Sequence, residues 1–331
     1  MPIPLIPLLV GGAALFGAGS VAKSISDNSK ADTLNADAED VVDYGKQVLE
    51  MGRDGASEAL KTLGGRKVYV LEHGVKDFVD IFGQLKNIDF NQPQGIDEMG
   101  NFRLDSMSLS GLREMTGLAS SVSSGVAAGT LAGALTAFGA YSGAMAFGAA
   151  STGTAIATLS GAAATNATLA FFGGGSLAAG GLGIAGGAMV LGGLVAAPAL
   201  AVLGLFMGSS ANENLERARS NMSKAKRFYA EMKTAAIACN GIRRTAYLFD
   251  RLLVRLNGLL CNANDAMRRA ISNHGTDYMT FTPDEKKAVG AAASLAKAVK
   301  TILDTPILTE DGKLTPESLT AANSVRAALP A

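Results

Sequence analysis

The sequence predicts an all-α fold, an elongated helical bundle with a long charge-free, Gly/Ala-rich helical hairpin region. Three observations support this prediction. Apolar residues recur at steps of three and four on both sides of the charge-free tract, which is typical of amphipathic helices. The alternation typical of strands never persists beyond a few residues. Two segments near the C-terminus begin with Thr-Pro pairs, which are typical of helix starts.

Charge is distributed very unevenly along the chain. The 331 residues include 29 Lys and Arg and 29 Asp and Glu, so the formal charge is zero and no polyanionic partner is implied overall. Between Glu114 and Glu213, 98 consecutive residues carry no charge, and 21 of them are glycine. We therefore divide the chain into four regions: an apolar N-terminal segment (1–22), an amphipathic helical region (23–114), a Gly/Ala-rich membrane-inserting region (115–210), and a long amphipathic helix with a C-terminal helical region (211–331).

The N-terminal segment is apolar from Pro2 to Ala22 and lacks the positive region that begins a secretory signal. Pro4 and Pro7 interrupt its start, and the apolar run from residue 8 to residue 22 is shorter than the roughly 20 residues of a membrane span. Interfacial anchoring or bundle packing, a membrane span, and a cleaved signal remain the three interpretations.

The amphipathic region before the tract predicts several helices. Residues 23–64 predict one or two exposed helices, weakened by Gly45, Gly52 and Gly55. Residues 66–88 predict an amphipathic helix, and Pro93 lies in a predicted loop over residues 87–101. The apolar stripe of the second helix consists of Val68, Leu71, Val75, Phe78, Phe82 and Leu85.

The charge-free tract divides into segments of about 118–149, 154–172 and 177–207, each close to or above the roughly 20 residues of a bilayer span. Glycine costs about 1 kcal/mol against alanine inside a helix, so close helix–helix approach is the expected compensation. A permanently buried core and a poorly ordered tract are the alternatives to insertion. The predicted membrane-inserting, helix-packing glycines, which form a glycine zipper, are Gly125, Gly129, Gly133, Gly139, Gly143, Gly183, Gly187, Gly204 and Gly208.

One string in the tract resembles a nucleotide-binding fingerprint. Gly181, Gly183 and Gly186 have the spacing G-x-G-x-x-G. A dinucleotide site also needs a strand before the glycines and an acid about 20 residues after them, but the first acid downstream is Glu213. We expect no cofactor at this position.

Residues 211–262 predict a helix of 40 or more residues. A straight helix and a helix bent near Gly241 both fit this pattern. Its predicted buried stripe is Leu215, Met222, Phe228, Met232, Ala236, Cys239, Ile242, Ala246, Phe249, Leu253, Leu256 and Leu260. A basic cluster occupies other faces, and we assign it to contact with anionic lipid headgroups; a solvated helix face and a nucleic-acid surface are the alternatives. The cluster consists of Lys224, Lys226, Arg227, Lys233, Arg243 and Arg244.

The C-terminal region predicts two shorter helices. The segment that begins at Thr282 is a capping box with proline at the first helical position and Glu285 at the third. Thr315 and Pro316 repeat the combination of N-cap and proline.

Catalytic and metal-binding combinations are not apparent in the sequence. His73 and His274 are the only histidines, and His274 lies near Asp277 in a predicted loop. Cys239 and Cys261 would be roughly 33 Å apart in one continuous helix, which argues against a disulfide between them. We therefore expect neither an enzyme nor a metal site.

Amphipathic helices that flank a charge-free Gly/Ala-rich hairpin resemble α-helical pore-forming proteins, such as the colicin pore domains and the cytolysin A class. The resemblance covers residues 115–262. It implies a bacterial or phage-encoded, toxin-like protein whose hairpin is sheltered until release and then permeabilises or remodels a bilayer as a homo-oligomer. Its expected location is the cytoplasmic membrane, or the cytoplasm in a form that associates with membrane. The alternative is a non-lytic scaffold that uses the tract as a buried core or constitutive anchor.

Overall fold

The computed structural model describes residues 20–88, 105–125, 135, 138–140, 214–309 and 312–329. In those residues every regular element is helical, and strand-like pairing is limited to two isolated β-bridges. The all-α prediction is therefore confirmed. Predictions for the N-terminal segment, for the loop beyond residue 88 and for most of the charge-free tract concern residues outside these ranges.

The described residues form six α-helices, with a π-helical turn between the first two and a 3-10 turn before the fifth. They are α1 (Ser20–Val70), the π-helical turn (Leu71–Val75), α2 (Lys76–Phe82), α3 (Ser106–Gly125), α4 (Asn214–His274), the 3-10 turn (Tyr278–Thr280), α5 (Pro283–Asp304) and α6 (Pro316–Ala328).

Helix α1 is a single helix of 51 residues that continues through Gly45, Gly52 and Gly55, the glycines expected to weaken it. Gly45 and Gly52 are buried where α1 meets α4. A Cβ atom added at Gly52 would lie 3.2 Å from the Cα atom of Ala236, so a larger residue would push the two helices apart. This close packing opposes a propensity cost of about 1 kcal/mol per glycine.

The chain divides into two compact units. The described part of the first unit consists of α1 up to Lys46 and α4 up to Glu231. Within it, the amide of Asn221 donates a hydrogen bond to the side-chain oxygen of Asn35 over 3.1 Å. The rings of Tyr44 and Tyr229 stack 5.7 Å apart. Because partner numbers rise together along both helices, α1 and α4 run parallel in this unit.

The second unit contains the remaining described residues. Here too α1 and α4 run parallel, because Gly52 packs against Ala236 and the later Arg66 pairs with Asp250 at 2.9 Å. Beyond α1, Asp77 of α2 pairs with Arg268 of α4 at 2.6 Å. Helix α3 contacts the π-helical turn, α2 and α5, and α6 contacts α5. The buried side of α5 is mostly small residues, including Ala292 and several other alanines, which allows close approach.

Helix α4 confirms the prediction of a long helix and extends it, since its 61 residues end at His274 and not at residue 262. The predicted apolar stripe is buried throughout, except for the half-exposed Leu215 and Met222. Buried Met267 and Ala270 continue the stripe beyond the predicted end. Gly241, where a bend was considered, lies inside the helix.

The predicted helix over residues 66–88 is interrupted by the π-helical turn and ends at Phe82. Four members of its predicted stripe are buried, whereas Val68 and Leu85 are half-exposed. The amide nitrogen of Asn264 on α4 donates to the carbonyl of Gly74 within the turn over 2.9 Å. This hydrogen bond satisfies a carbonyl in the turn, where the α-helical bonding pattern changes.

Helix α5 begins as predicted. The hydroxyl of Thr282 accepts a hydrogen bond from the backbone N–H of Glu285, and the Glu285 carboxylate accepts from the backbone N–H of Thr282 over 2.9 Å. At α6 Thr315 is the N-cap residue and Pro316 begins the helix, as predicted, but the Thr315 side chain makes no capping hydrogen bond. The Thr315 hydroxyl donates instead to the carbonyl of Pro306, which fastens the connection between α5 and α6.

The capping box makes a direct prediction for stability. Thr282→Ala removes the acceptor for the Glu285 amide and is expected to lower the free energy of unfolding by about 1 kcal/mol. Urea denaturation followed by circular dichroism measures this change. Thr62→Ala, at an exposed position inside α1, is the control and should cause no loss. Equal midpoints for the two variants would show that the cap contributes nothing.

Candidate functional site

The predicted membrane-inserting glycines are mostly outside the described residues. Gly125 is the last residue of α3, and Gly139 is buried. The prediction for Gly129, Gly133, Gly143, Gly183, Gly187, Gly204 and Gly208 lies outside the described ranges.

Gly139 lies where a helical part of the charge-free tract crosses α1. A Cβ atom added at Gly139 would fall inside the carbonyl oxygen of Leu60, and one added at Gly64 would fall inside the carbonyl oxygen of Leu135. The two backbones therefore touch without an intervening side chain, which is the contact that small residues permit between packed helices. Gly64 was not among the predicted packing residues.

Main-chain hydrogen bonds attach the same part of the tract to the segment after α5. The backbone N–H groups of Ile307 and Leu308 both donate to the carbonyl of Ala140, over 2.8 and 3.0 Å. Both donors belong to buried residues. Since a buried carbonyl costs free energy if it lacks a partner, these bonds favour the docked position of Ala140.

A buried lysine on α1 completes this attachment. The Nζ atom of Lys67 donates to the carbonyl of Phe138 over 2.9 Å and lies 5.4 Å from the centre of the Phe138 ring. The side chain is fully buried. Burial lowers the pKa of Lys67 from its usual 10.5 to about 7, against the opposing attraction of the Asp304 carboxylate.

The structure separates the predicted basic cluster. Lys224, Lys226 and Arg227 belong to the first unit, where Lys224 is half-exposed and the other two are exposed. In the second unit Arg243 packs on α1, with its Nη1 atom 3.2 Å from where a Cβ atom of Gly55 would lie. Lys233 and Arg244 point to solvent on another face of α4, which continues beyond the predicted cluster.

This outer face of α4 combines cations with exposed apolar side chains. Ile237 is 63% exposed, Tyr247 is 45% exposed and Val254 is 47% exposed. Because successive members are separated by three, four or seven residues, apart from the adjacent Val254 and Arg255, they align along one side of the helix. We call this set the outer face; it consists of Lys233, Ile237, Arg244, Tyr247, Arg251, Val254 and Arg255.

The outer face carries no acidic residue. The only acid of α4 between Met232 and Asn264 is Asp250, which is half-buried and paired with Arg66. Among the described residues no carboxylate forms a salt bridge with Arg244 or Arg251. The face can therefore attract an anionic surface while its apolar side chains provide contact area.

The two histidines occupy ordinary positions in the described part of the chain. His73 is exposed and stacks on Tyr69, with ring centres 4.2 Å apart. His274 lies 3.4 Å from Glu285, and the Asp277 carboxylate bonds instead to Asn87. No group of three or more His, Cys, Asp or Glu side chains suited to a metal ion occurs in the described ranges.

An open cleft of about 500 Å³ lies between α2 and α3. Lys76 and Arg113 line it together with Asp80, so both signs of charge face the same space. All three side chains are exposed. The cleft lacks the enclosed, largely apolar walls that usually hold a small-molecule ligand.

Within the described ranges, none of the helices has the length and apolar character that crossing a bilayer requires.

Comparison of the chain with protein-family models, curated proteins and solved structures gives no match.

Proposed function

We propose that this chain is a membrane-active helical protein that inserts its charge-free tract into a bilayer and permeabilises or remodels it as a homo-oligomer. The observation that carries the proposal is the outer face of α4, an acid-free row of cations and exposed apolar side chains in a chain with a 98-residue uncharged tract. The proposed location is the cytoplasmic membrane, reached from a cytoplasmic form.

The outer face supports docking in physical terms. Each cation close to an anionic membrane contributes about 1 kcal/mol, so Lys233, Arg244, Arg251 and Arg255 together provide roughly 4 kcal/mol. Ile237 and Val254 add favourable transfer of apolar surface from water to the interface. The partner is therefore a bilayer that contains anionic lipid.

The experiment is flotation of the full-length protein with vesicles of phosphatidylcholine, alone or mixed with phosphatidylglycerol, with dye release measured in parallel. We expect binding and release that are stronger with the anionic vesicles. A protein that neither binds nor permeabilises either kind of vesicle would contradict the proposal and favour the scaffold alternative.

A charge placed in the tract tests insertion separately from docking. Gly187→Asp is expected to reduce dye release about 100-fold, because an aspartate at the centre of a spanning helix costs about 3 kcal/mol. Flotation should persist, since the outer face is unchanged. Gly187→Ala, which adds a methyl group without charge, is the control. Full release by the aspartate variant would exclude insertion of this part of the tract.

A further inference from the structure

The docking site of residues 138–140 is built from groups that lie far apart in sequence. Gly64 and Lys67 come from α1, and the N–H groups of Ile307 and Leu308 come from the segment after α5. We call these four residues the clasp. Gly64 packs against Leu135, Lys67 donates to the carbonyl of Phe138, and Ile307 and Leu308 donate to the carbonyl of Ala140.

Lysine is an unusual residue to hold such a contact. A buried ammonium loses its hydration, and the hydrogen bond to the Phe138 carbonyl and the contact with the Phe138 ring replace part of it. A neutral amine still donates a hydrogen bond to that carbonyl. The docked arrangement therefore suits the neutral form of Lys67 better than the charged form, and the undocked arrangement, in water, suits the charged form.

The charged groups around Lys67 do not remove this preference. Asp304 on α5 attracts the ammonium, but its carboxylate is already hydrogen-bonded to Lys300. Asp250 on α4 is occupied by Arg66. The docked residues of the tract, Leu135 and 138–140, contain no charged side chain.

We infer that the clasp is a releasable restraint on the charge-free tract, closed while the Lys67 amine is neutral and weakened when that amine takes up a proton. The regulatory meaning of this inference rests on the proposed function, because release matters only if the tract then inserts. The opening itself is a property of the folded chain and is measurable without membrane.

The direction of the pH dependence follows from proton binding. The undocked lysine, with its usual pKa of 10.5, holds a proton over the range in which the docked lysine, with a pKa of about 7, has lost it. Docking is therefore strengthened roughly tenfold for each pH unit between pH 7 and 9, and is nearly constant below pH 7.

Hydrogen exchange of the full chain tests this inference. The amides of Ile307 and Leu308 are protected only while they donate to Ala140. After correction for the intrinsic exchange rate, their protection is expected to increase about 100-fold from pH 7 to pH 9 in the wild-type protein. Protection that does not change over this range would overturn the inference.

Two variants show whether Lys67 causes the pH dependence of this protection. Lys67→Gln keeps a donor for the Phe138 carbonyl but does not titrate, so the pH dependence of protection should vanish. Lys67→Met has an apolar side chain that does not titrate either, so the pH dependence should vanish in this variant as well. Lys61→Gln, at a partly exposed lysine that pairs with Glu58 on the same helix, should retain the wild-type dependence. Persistence of the dependence in both Lys67 variants would also overturn the inference.

Dye release in parallel separates the clasp from the proposed function. With flotation used to correct for binding, wild-type release should increase as the pH falls from 9 to 7, and release by Lys67→Gln should not change. Exchange that depends on Lys67 without release at any pH would retain the clasp and reject membrane activity. Release together with pH-independent exchange would retain membrane activity and reject the clasp.

Discussion

Replacing Gly64 by alanine is expected to undock Leu135 and residues 138–140 from α1 and to lower the free energy of unfolding by about 3 kcal/mol. The new Cβ atom would fall inside the Leu135 carbonyl oxygen and 2.9 Å from the Leu135 Cα atom. These are backbone atoms, so no change of side-chain rotamer can make room for the methyl group. One of the two helical segments must move, and the hydrogen bonds to Ala140 are then lost with it.

The neighbouring glycine provides a matched control. A Cβ atom at Gly65 meets nothing within 4 Å. Gly65→Ala should therefore stabilise α1 by about 1 kcal/mol through helix propensity. Urea denaturation gives the two stabilities, and hydrogen exchange at Ile307 and Leu308 reports the docking. If Gly64→Ala kept both amides protected and matched Gly65→Ala in stability, the crossing of the two backbones would be wrong.

Reversing two cations on the outer face is expected to weaken binding to anionic vesicles about a thousandfold. Arg244→Glu combined with Arg251→Glu changes four units of charge, equivalent to about 4 kcal/mol near an anionic surface. Both side chains are exposed, so folding should be unaffected. The effect should diminish in high salt, which screens exposed charges.

A tryptophan reporter makes this binding visible, because the chain contains no tryptophan. Tyr247→Trp places the indole on the outer face, and its emission should shift to shorter wavelength when anionic vesicles are added. Lys287→Glu combined with Arg326→Glu changes the net charge equally at exposed positions on α5 and α6 and serves as the control. Equal loss in both double variants would mean that net charge, and not the outer face, governs binding.

The sequence was most informative about the helices whose signals are local. The stripe that includes Phe249 and Leu253 predicted α4, and the residues around Thr282 predicted the start of α5. The role of the glycines in α1 was harder to predict from the sequence. The low helix propensity of glycine argues against a helix at Gly52, whereas in the structure the missing side chain at Gly52 allows close packing. That gain depends on the partner helix, which a local pattern does not show.

The candidate site was predicted in part. Lys233 and Arg244 were assigned to lipid contact, but Arg251, Arg255 and the exposed apolar residues between them were not. Their signal was available, since Ile237 and Val254 do not belong to the buried stripe. Lys67 also has the spacing of a buried position, four residues after Leu63. A charged residue there is usually taken as solvated, and only the tertiary contacts identify its role.

The π-helical turn changes which residue continues the heptad series of buried positions in α1. Leu63 and Val70 are buried one heptad apart in α1, and the next position in that series is Asp77. In the structure Phe78 is buried instead, while Asp77 is half-exposed and paired with Arg268. Since one residue turns an α-helix by about 100°, the turn acts as a one-residue insertion that corrects the register. In a related chain shorter by one residue between Leu71 and Val75, the aromatic residue would follow Val70 by seven positions, so an uninterrupted α-helix would keep the ring buried and the carboxylate outside.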